Sequence, residues 1–332
     1  LPDSAVSQEA PLDPLTRLAI RYGTDKWGQH LYTPTYHRVF ASLRETPVSL
    51  LEIGVGWPTL PMVGGASLRM WRDYFPFGRI VGLDVQPKRL DLGPRVTVVQ
   101  GSQSDATDLR ALWQSHGPFD IVIDDGSHRV DDVLLSFDTL FPLLPTAGLY
   151  AVEDTQTSFW PEFGGCASGN GTIVARVTEL MKAMHAQEAR AAGLVPVSER
   201  YGELVASVQI YRNMVVVERG RNEHPSNRAL DVTHPAFLAI LERLRAENAR
   251  DPSDGAAMVH AGLLDVAGDL PGSLAAVQEG LAAHPLSLDL LCMGLYLTTR
   301  LALRNDSQAI LERLMILAPN EPIFEKLRAQ LP

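Results

Sequence analysis

The stretch from Phe119 to Asp154 constrains this chain more than any other. Phe119-Asp120-Ile121-Val122-Ile123-Asp124-Asp125-Gly126-Ser127-His128 is an apolar, β-branched run that ends in two acids and a Gly-Ser-His turn. That is the pattern of a buried strand whose carboxyl end spills polar groups into a loop. Gly148-Leu149-Tyr150-Ala151-Val152 followed by Glu153-Asp154 repeats it. Between the two, Asp131 to Leu144 carries apolar residues at helical spacing: Val133, Leu134, Phe137, Leu140 and Phe141. A strand-helix-strand unit makes the strands parallel, and parallel strands present ligands beyond their carboxyl ends. Asp124, Asp125, His128, Glu153 and Asp154 are therefore expected to converge on one crevice.

Four carboxylates cannot share a dry crevice unless another charge compensates them, because neighbouring like charges oppose joint ionisation. A divalent cation resolves the conflict. Oxygen donors with at most one imidazole suit Mg2+, Mn2+ or Ca2+ better than Zn2+, which prefers nitrogen and sulfur. His128 is then a ligand or a general base, since an imidazole titrates near neutrality. The plainer alternative makes Asp-Gly a turn, Ser-His a helix cap and Glu153-Asp154 a solvated loop. Two acidic clusters at matching strand ends weigh against it.

Upstream, Val48-Ser49-Leu50-Leu51-Glu52-Ile53-Gly54-Val55-Gly56 reads as a first buried strand running into a Gly-x-Gly turn, where a missing Cβ lets the backbone approach a ligand. Gly78 to Asp84 is a second strand, ending in an acid suited to ribose hydroxyls. A helix start after Gly64-Gly65 separates the two, and Val96 to Gln100 forms a third strand before Gly101-Ser102-Gln103 and a helix over Asp108 to His116. A dinucleotide site would want a third Gly and an early helix, whereas Trp57-Pro58-Thr59-Leu60-Pro61 postpones the helix. Glu52 just before the glycines would repel a pyrophosphate. It suits instead a cationic ligand such as S-adenosylmethionine.

The formal charge of -10 argues against nucleic acid as a partner. No apolar run reaches the 18 residues of a membrane span. Leu1 to Pro14 lacks the basic-then-apolar signature of a secretory signal, and without an initiating Met the sequence reads as starting inside a longer chain. Cys166 and Cys292 stand far apart, which points to a reducing cytoplasm. The loop from Tyr22 to Tyr36 is crowded with aromatic and hydrogen-bonding groups and is read as a ligand-covering segment, with Tyr32 and Thr33 as acceptor contacts. Its rival role is to pin an N-terminal arm to the body. Thr155 to Gly165 is an aromatic loop on the metal edge, where Gln156, Phe159 and Trp160 would wall an acceptor such as a sugar ring. The alternative is a packed connection.

Taken together, Tyr22-Gly-Thr-Asp-Lys-Trp-Gly, Leu51-Glu-Ile-Gly-Val-Gly, Gly64-Gly-Ala-Ser-Leu-Arg-Met-Trp, Asp124-Asp-Gly-Ser-His and Glu153-Asp154 resemble the metal-dependent sugar O-methyltransferases of antibiotic biosynthesis. They look like the mycinamicin (macrolide) deoxysugar O-methyltransferase family in particular, and like related rhamnose methyltransferases. The resemblance runs from about Tyr22 to Phe163, more weakly to Glu218. It implies a Rossmann-like class I methyltransferase fold, an α/β architecture with a mostly parallel seven-stranded sheet and an antiparallel end strand. It further implies Mg2+ or another divalent cation held by Asp125, Glu153 and Asp154, with His128 as base. S-adenosylmethionine would lie among Glu52, Gly54, Gly56, Ser67, Asp84, Gly101, Ser102, Gln103 and Asp124, with Glu52 by the methionyl part, Asp84 by the ribose and Gly101 to Gln103 by the adenine. The macrolide enzymes carry a sizeable N-terminal domain largely missing here, and this chain has an added C-terminal region.

Thr172 to Ala192 is expected to be helical, and Val205 to Glu218 reads as a β-hairpin that closes the sheet. A polar linker, Arg219 to Val232, follows. Pro252, Pro285 and Pro319 then recur 33 and 34 residues apart, each closing a helix (Phe237 to Ala249, Ser273 to Ala283, Ser307 to Leu317). Such a period marks a small tetratricopeptide-like helical array. The expected divisions are an arm over 1–46, a methyltransferase domain over 47–220 and a helical domain over 233–332, with self-association ranked ahead of partner binding and of capping the sheet domain as the role of the last. The functional expectation is methyl transfer to a hydroxyl of a sugar in a natural-product glycoside or polysaccharide. Its rivals are methylation of a catechol-like phenol and a non-catalytic module that senses S-adenosylmethionine. His128 beside a full set of carboxylates counts against the second.

Overall fold

The computed structural model describes residues 11–56, 60–196, 201–222, 233–250 and 253–330. Trp57-Pro58-Thr59, the 223–232 part of the expected linker and Pro252 lie outside the described residues. The chain divides into two units, Leu1–Ala186 with Pro196–Asn222, and Gln187–Val195 with Glu223–Pro332.

The first unit opens with α1 (Pro14–Tyr22), capped by Asp13, and α2 (Thr33–Phe40), which begins three residues earlier than Tyr36 because Pro34 fits a first helical turn. Then come β1 (Ser49–Ile53), α3 (Ala66–Tyr74), β2 (Arg79–Asp84), β3 (Val96–Gln100), α4 (Ala106–His116), β4 (Ile121–Asp124), α5 (Val130–Leu140) and β5 (Leu149–Val152). The helix expected over Thr172 to Ala192 is two, because His185 leaves helical backbone geometry: α6 (Ile173–Met184) belongs to this unit, and α7 (Ala186–Ala191) belongs from Gln187 onward to the second. The hairpin is β6 (Val205–Tyr211) with β7 (Met214–Arg219). The seven strands run in the order β3-β2-β1-β4-β5-β7-β6. All neighbours out to β5 are parallel, and β7 inserts antiparallel between β5 and β6.

Alternate residues of a strand face opposite sides of a sheet, and the two cores follow that rule. Leu50, Ile121, Ile123 and Ala151 join the core that holds Leu15, Tyr36 and Trp71 from α1, α2 and α3. Leu51, Val122, Tyr150 and Val152 join the opposite core, with Phe137 of α5 and Leu180 of α6. All four residues of β4, and likewise of β5, are buried, as continuous apolar runs in central parallel strands require. The N-terminal arm belongs to this unit, with α1 packed on α2 and α3.

The second unit contains α8 (Pro235–Arg250), α9 (Asp254–Val266), α10 (Leu270–Ala283), α11 (Leu288–Arg300), α12 (Arg304–Leu317) and α13 (Pro322–Gln330). Successive helices pack on one another through Ala257, Ala261, Val277 and Leu290, then through Leu291, Leu311, Leu314 and Phe324. Ser253, Asp269 and Ser287 cap α9, α10 and α11 by accepting backbone N–H bonds. No described helix is long and apolar enough to cross a membrane.

Candidate active site

Strand parity sorts the acids at the carboxyl ends of β1, β4 and β5. Glu52 lies opposite Ile123 in the register of β1 and β4, and Asp124 lies opposite Val152 in that of β4 and β5. Glu52, Asp125 and Glu153 thus project toward the side covered by α1, α2 and α3, and Asp124 toward α5. The end of β1 makes this junction tight. Gly54 has φ +95°, and a Cβ there would stand 2.1 Å from the Asp125 carbonyl oxygen.

A lysine occupies the side where the three acids meet. Lys26 Nζ donates to Asp125 Oδ2 at 2.6 Å and to Glu153 Oε1 at 2.8 Å, and lies 3.1 Å from Glu52 Oε1. Its side chain is 1% exposed. Burial alone would push its pKa down, but Asp125, Glu153 and Glu52 outweigh burial and hold the ammonium charged well above its usual range. One cation does not satisfy three acids. Burial, reinforced by Asp125, raises the Glu153 carboxyl well above the usual carboxylate range in spite of Lys26 and of Tyr36, whose hydroxyl donates to Oε1 at 2.7 Å. Burial likewise raises Glu52, against the pull of Lys26 and of Ser67, whose Oγ donates to Oε2 at 2.7 Å. Trp71 Nε1 donates to Glu52 Oε1 at 3.2 Å.

Beyond the lysine the site opens. Asp125 turns its other oxygen, Oδ1, toward His128 Nε2 at 3.9 Å, and Asp154 Oδ2 lies 3.6 Å from the same nitrogen. His128 and Asp154 adopt left-handed backbone conformations, φ 56° and 50°, which cost energy in residues other than Gly and redirect both side chains into the crevice. Asp125, His128 and Asp154 form a group whose donor atoms all lie within 4.8 Å of one another. Two carboxylate oxygens and one imidazole fit a hard divalent ion. Asp154 is also tied to the covering loop. Its Oδ1 accepts from Tyr32 Oη at 2.7 Å and from Gln156 Nε2 at 2.9 Å, and His30 Nδ1 stands 3.6 Å away. Burial works to raise the Asp154 pKa, but these hydrogen bonds and the nearby imidazoles outweigh it and lower the carboxyl.

The other expected residues fall into three groups. Asp84 accepts from the N–H groups of Val55 and Gln86 at the tip of β2, and Gly56 has φ +80° with nothing described within 4 Å of an added Cβ. Ser102 follows Gly101 in an open turn anchored by its N–H to Asp108. Gln103 and Asp124 are built into the scaffold instead of its surface. Gln103 Nε2 donates to Asp124 Oδ1 at 2.6 Å and its Oε1 accepts the Ser127 N–H, so it staples β3 to the β4 turn. Asp124 takes further bonds from Ser136 and Tyr150, and burial, partly offset by Ser136, pushes its pKa up to about 6. Its carboxylate is buried and accepts from Gln103, Ser136 and Tyr150.

Of the expected acceptor contacts, Thr33 is fully buried against the Thr16 hydroxyl at 2.7 Å, between α1 and α2. That removes it from the crevice, because the helix that begins at Thr33 turns its side chain to α1. Tyr32 is buried on Asp154. Phe159 and Trp160 are open, 45% and 44% exposed, and Trp160 leads through Phe163 toward His128. Gln156 Oε1 is buried without a hydrogen-bond partner among the described residues. Lys26 and Tyr36 lie in the Tyr22 to Tyr36 loop, where no local motif marks them as partners of the strand-tip acids. The signal was strand parity: three acids on one face require a cation from whatever segment packs there.

No protein-family model matches this chain. It is 44% identical over 212 residues, 63% of the chain and 54% of the relative, to an 8-demethyl-8-(2-methoxy-alpha-L-rhamnosyl)-tetracenomycin-C 3'-O-methyltransferase of Streptomyces olivaceus. It is 41% identical over 218 residues, 63% of the chain and 53% of the relative, to a mycinamicin VI 2''-O-methyltransferase of Micromonospora griseorubida. The chain spans about half the length of the curated relatives it matches. Among solved structures, the MycE methyltransferase of the mycinamycin biosynthetic pathway, in complex with Mg, SAH and mycinamycin VI, superposes with a TM-score of 0.58 at 39% identity, covering 64% of this chain and 56% of that one. A second crystal form of MycE, with Mg and SAH, gives a TM-score of 0.60 at 37% identity over 69% of this chain and 59% of that one. The sheet-bearing unit has the Rossmann-like class I methyltransferase fold, and the chain is similar in sequence to sugar O-methyltransferases.

Proposed function

We propose that this protein transfers a methyl group from S-adenosylmethionine to a hydroxyl of a sugar in a natural-product glycoside or polysaccharide. The observation that carries the reading is the convergence of Asp125, His128 and Asp154 at two neighbouring strand tips, with Glu52 one strand away. The similarity to sugar O-methyltransferases supports it. Asp125 and Asp154 would hold Mg2+ or a similar divalent ion, with Glu153 contributing the oxygen not taken by Lys26 and Tyr36. When bound, such an ion stabilises negative charge on an acceptor oxygen.

His128 Nε2 takes the proton of the acceptor hydroxyl, and Asp154 beside it stabilises the imidazolium that results. The acceptor oxygen then bonds to the methyl carbon as the carbon–sulfur bond breaks, leaving a neutral thioether. Glu52, Ser67, Gly54, Gly56 and Asp84 line the donor side, with Gly101 and Ser102 toward the adenine. On the acceptor side, Phe159 and Trp160 offer flat apolar faces to a sugar ring, and Gln156, held on Asp154 through its Nε2, stands at the base of that wall. The two free cysteines support a place in the reducing cytoplasm, and we assign the helical unit a role in forming a homo-oligomer.

The test is incubation of the purified protein with methyl-labelled S-adenosylmethionine, Mg2+ and a panel of rhamnosyl and deoxysugar glycosides beside catechols. Label is expected on a glycoside and to vanish with excess chelator. Label on catechols alone would overturn the sugar assignment, and full activity in chelator would remove the metal.

A further inference from the structure

We propose that Lys26 is a positioning residue whose single ammonium aligns the donor-side acid Glu52 with the cation-side acids Asp125 and Glu153, so that both ligand sites depend on it. The inference rests on the methyltransferase reading above. Its basis is geometric: one buried nitrogen lies within 3.1 Å of carboxylates from the ends of three adjacent strands, β1, β4 and β5. Asp125 is shared between two partners. Lys26 takes Oδ2, which leaves Oδ1 turned to His128 and the open side of the crevice. Glu153 is gripped the same way through Oε1. Groups behind metal ligands fix the orientation and charge of those ligands, and their loss weakens metal binding about tenfold to a hundredfold.

The ammonium reaches this position only because the loop around it is folded. The Lys26 carbonyl accepts the N–H of Tyr32, Trp27 pairs with Leu31, and Tyr32 and Tyr36 land on Asp154 and Glu153. The segment between α1 and α2 therefore inserts a fixed charge into the site besides covering it. Coulomb repulsion between the ammonium and a divalent ion acts the other way, and on that effect alone removing Lys26 would tighten the ion. We hold that orientation wins, because Glu52 and Glu153 are buried and Asp125 is partly so, and carboxylates that lose the one donor shared among them turn away from the crevice and become poor ligands.

The experiment measures Mn2+ affinity by electron paramagnetic resonance and S-adenosylhomocysteine affinity by calorimetry in the wild type, Lys26→Met and Lys26→Ala. Both variants are expected to lose at least tenfold in Mn2+ affinity and to bind S-adenosylhomocysteine more weakly. Propylammonium should restore Mn2+ binding to Lys26→Ala, while propanol of the same shape should not. Unchanged or tighter Mn2+ binding, or rescue by the alcohol as well, would overturn the proposal. Should both variants fail to fold, Glu52→Gln decides: it leaves the ammonium but unbalances it, so Mn2+ affinity should drop several-fold, and a wild-type value there refutes the link. A wild-type protein that binds neither Mn2+ nor S-adenosylhomocysteine would instead sink the methyltransferase reading itself.

Discussion

Tyr32 reaches across 122 residues of sequence to donate its hydroxyl to Asp154 Oδ1 at 2.7 Å. The same oxygen of Tyr32 receives the Asp154 backbone N–H, so side chain and main chain of the β5 tip are both fastened to the start of α2. This contact holds Asp154 in its left-handed conformation with Oδ2 toward His128. Tyr32→Phe should therefore lower turnover about tenfold to a hundredfold while leaving S-adenosylhomocysteine affinity within about twofold. Steady-state kinetics beside calorimetry checks this, and a loss of cofactor affinity equal to the loss of turnover would contradict it.

His128 has two possible duties, base and ligand, and one substitution separates them. As a base it contributes to the reaction and little to ion binding, so His128→Ala should keep Mn2+ affinity within a few-fold while turnover falls about 10²- to 10⁴-fold. A loss of Mn2+ affinity as large as the loss of turnover would make it a ligand.

Two glycines of the first turn should behave differently. Gly54→Ala places a Cβ 2.1 Å from the Asp125 carbonyl oxygen at φ +95°, and we expect it to destabilise the fold by at least about 2 kcal/mol. Gly56→Ala meets only the strain of φ +80°, about 1 to 2 kcal/mol, yet it adds a methyl group where the donor would pass. Denaturant unfolding and S-adenosylhomocysteine titration of the two variants should show stability falling more in the first, and affinity lost in the second with much of its stability intact.

A pH response of its own is expected of the helical unit. Burial, assisted by the positive charge of Arg245 and opposed by Glu279, lowers the pKa of His260, and its Nε2 is buried without a hydrogen-bond partner among the described residues. A folded-state pKa below the unfolded value means the unfolded chain binds the proton more readily. The contribution of His260 is thus complete above the ordinary imidazole range of about 6.5 and is lost as the pH falls through the folded value. Thermal unfolding followed by circular dichroism between pH 8 and 5 should show declining stability on acidification, with a smaller decline in His260→Leu. An identical pH slope in the variant would rule this histidine out as the cause.

Much of the architecture was written in local pattern. Continuous apolar runs marked the central strands, the acids after them marked the strand tips, and the spacing of Pro285 and Pro319 marked the ends of α10 and α12. These signals are readable because strand burial, turn chemistry and helix termination depend on residues close in sequence. The Asp124-Asp125 pair shows where such reading stops. Nothing in the composition of the pair tells which acid is which, yet one accepts bonds from Ser136 and Tyr150 inside the sheet and the other takes Lys26 and faces the crevice.

By itself the sequence determined that acids, glycines and an imidazole would collect at the carboxyl edge of a parallel sheet, since that follows from strand direction and connection alone. Only the tertiary structure decided which of them face the crevice. Side-chain parity turned Glu52, Asp125 and Glu153 to one face, left-handed backbone at His128 and Asp154 aimed those side chains inward, and the α1–α2 segment brought Lys26, Tyr32 and Tyr36 across from the far end of the unit. The physical reason is that a buried carboxylate takes its charge state and direction from whatever donors fold against it. Those donors here come from about 100 residues away.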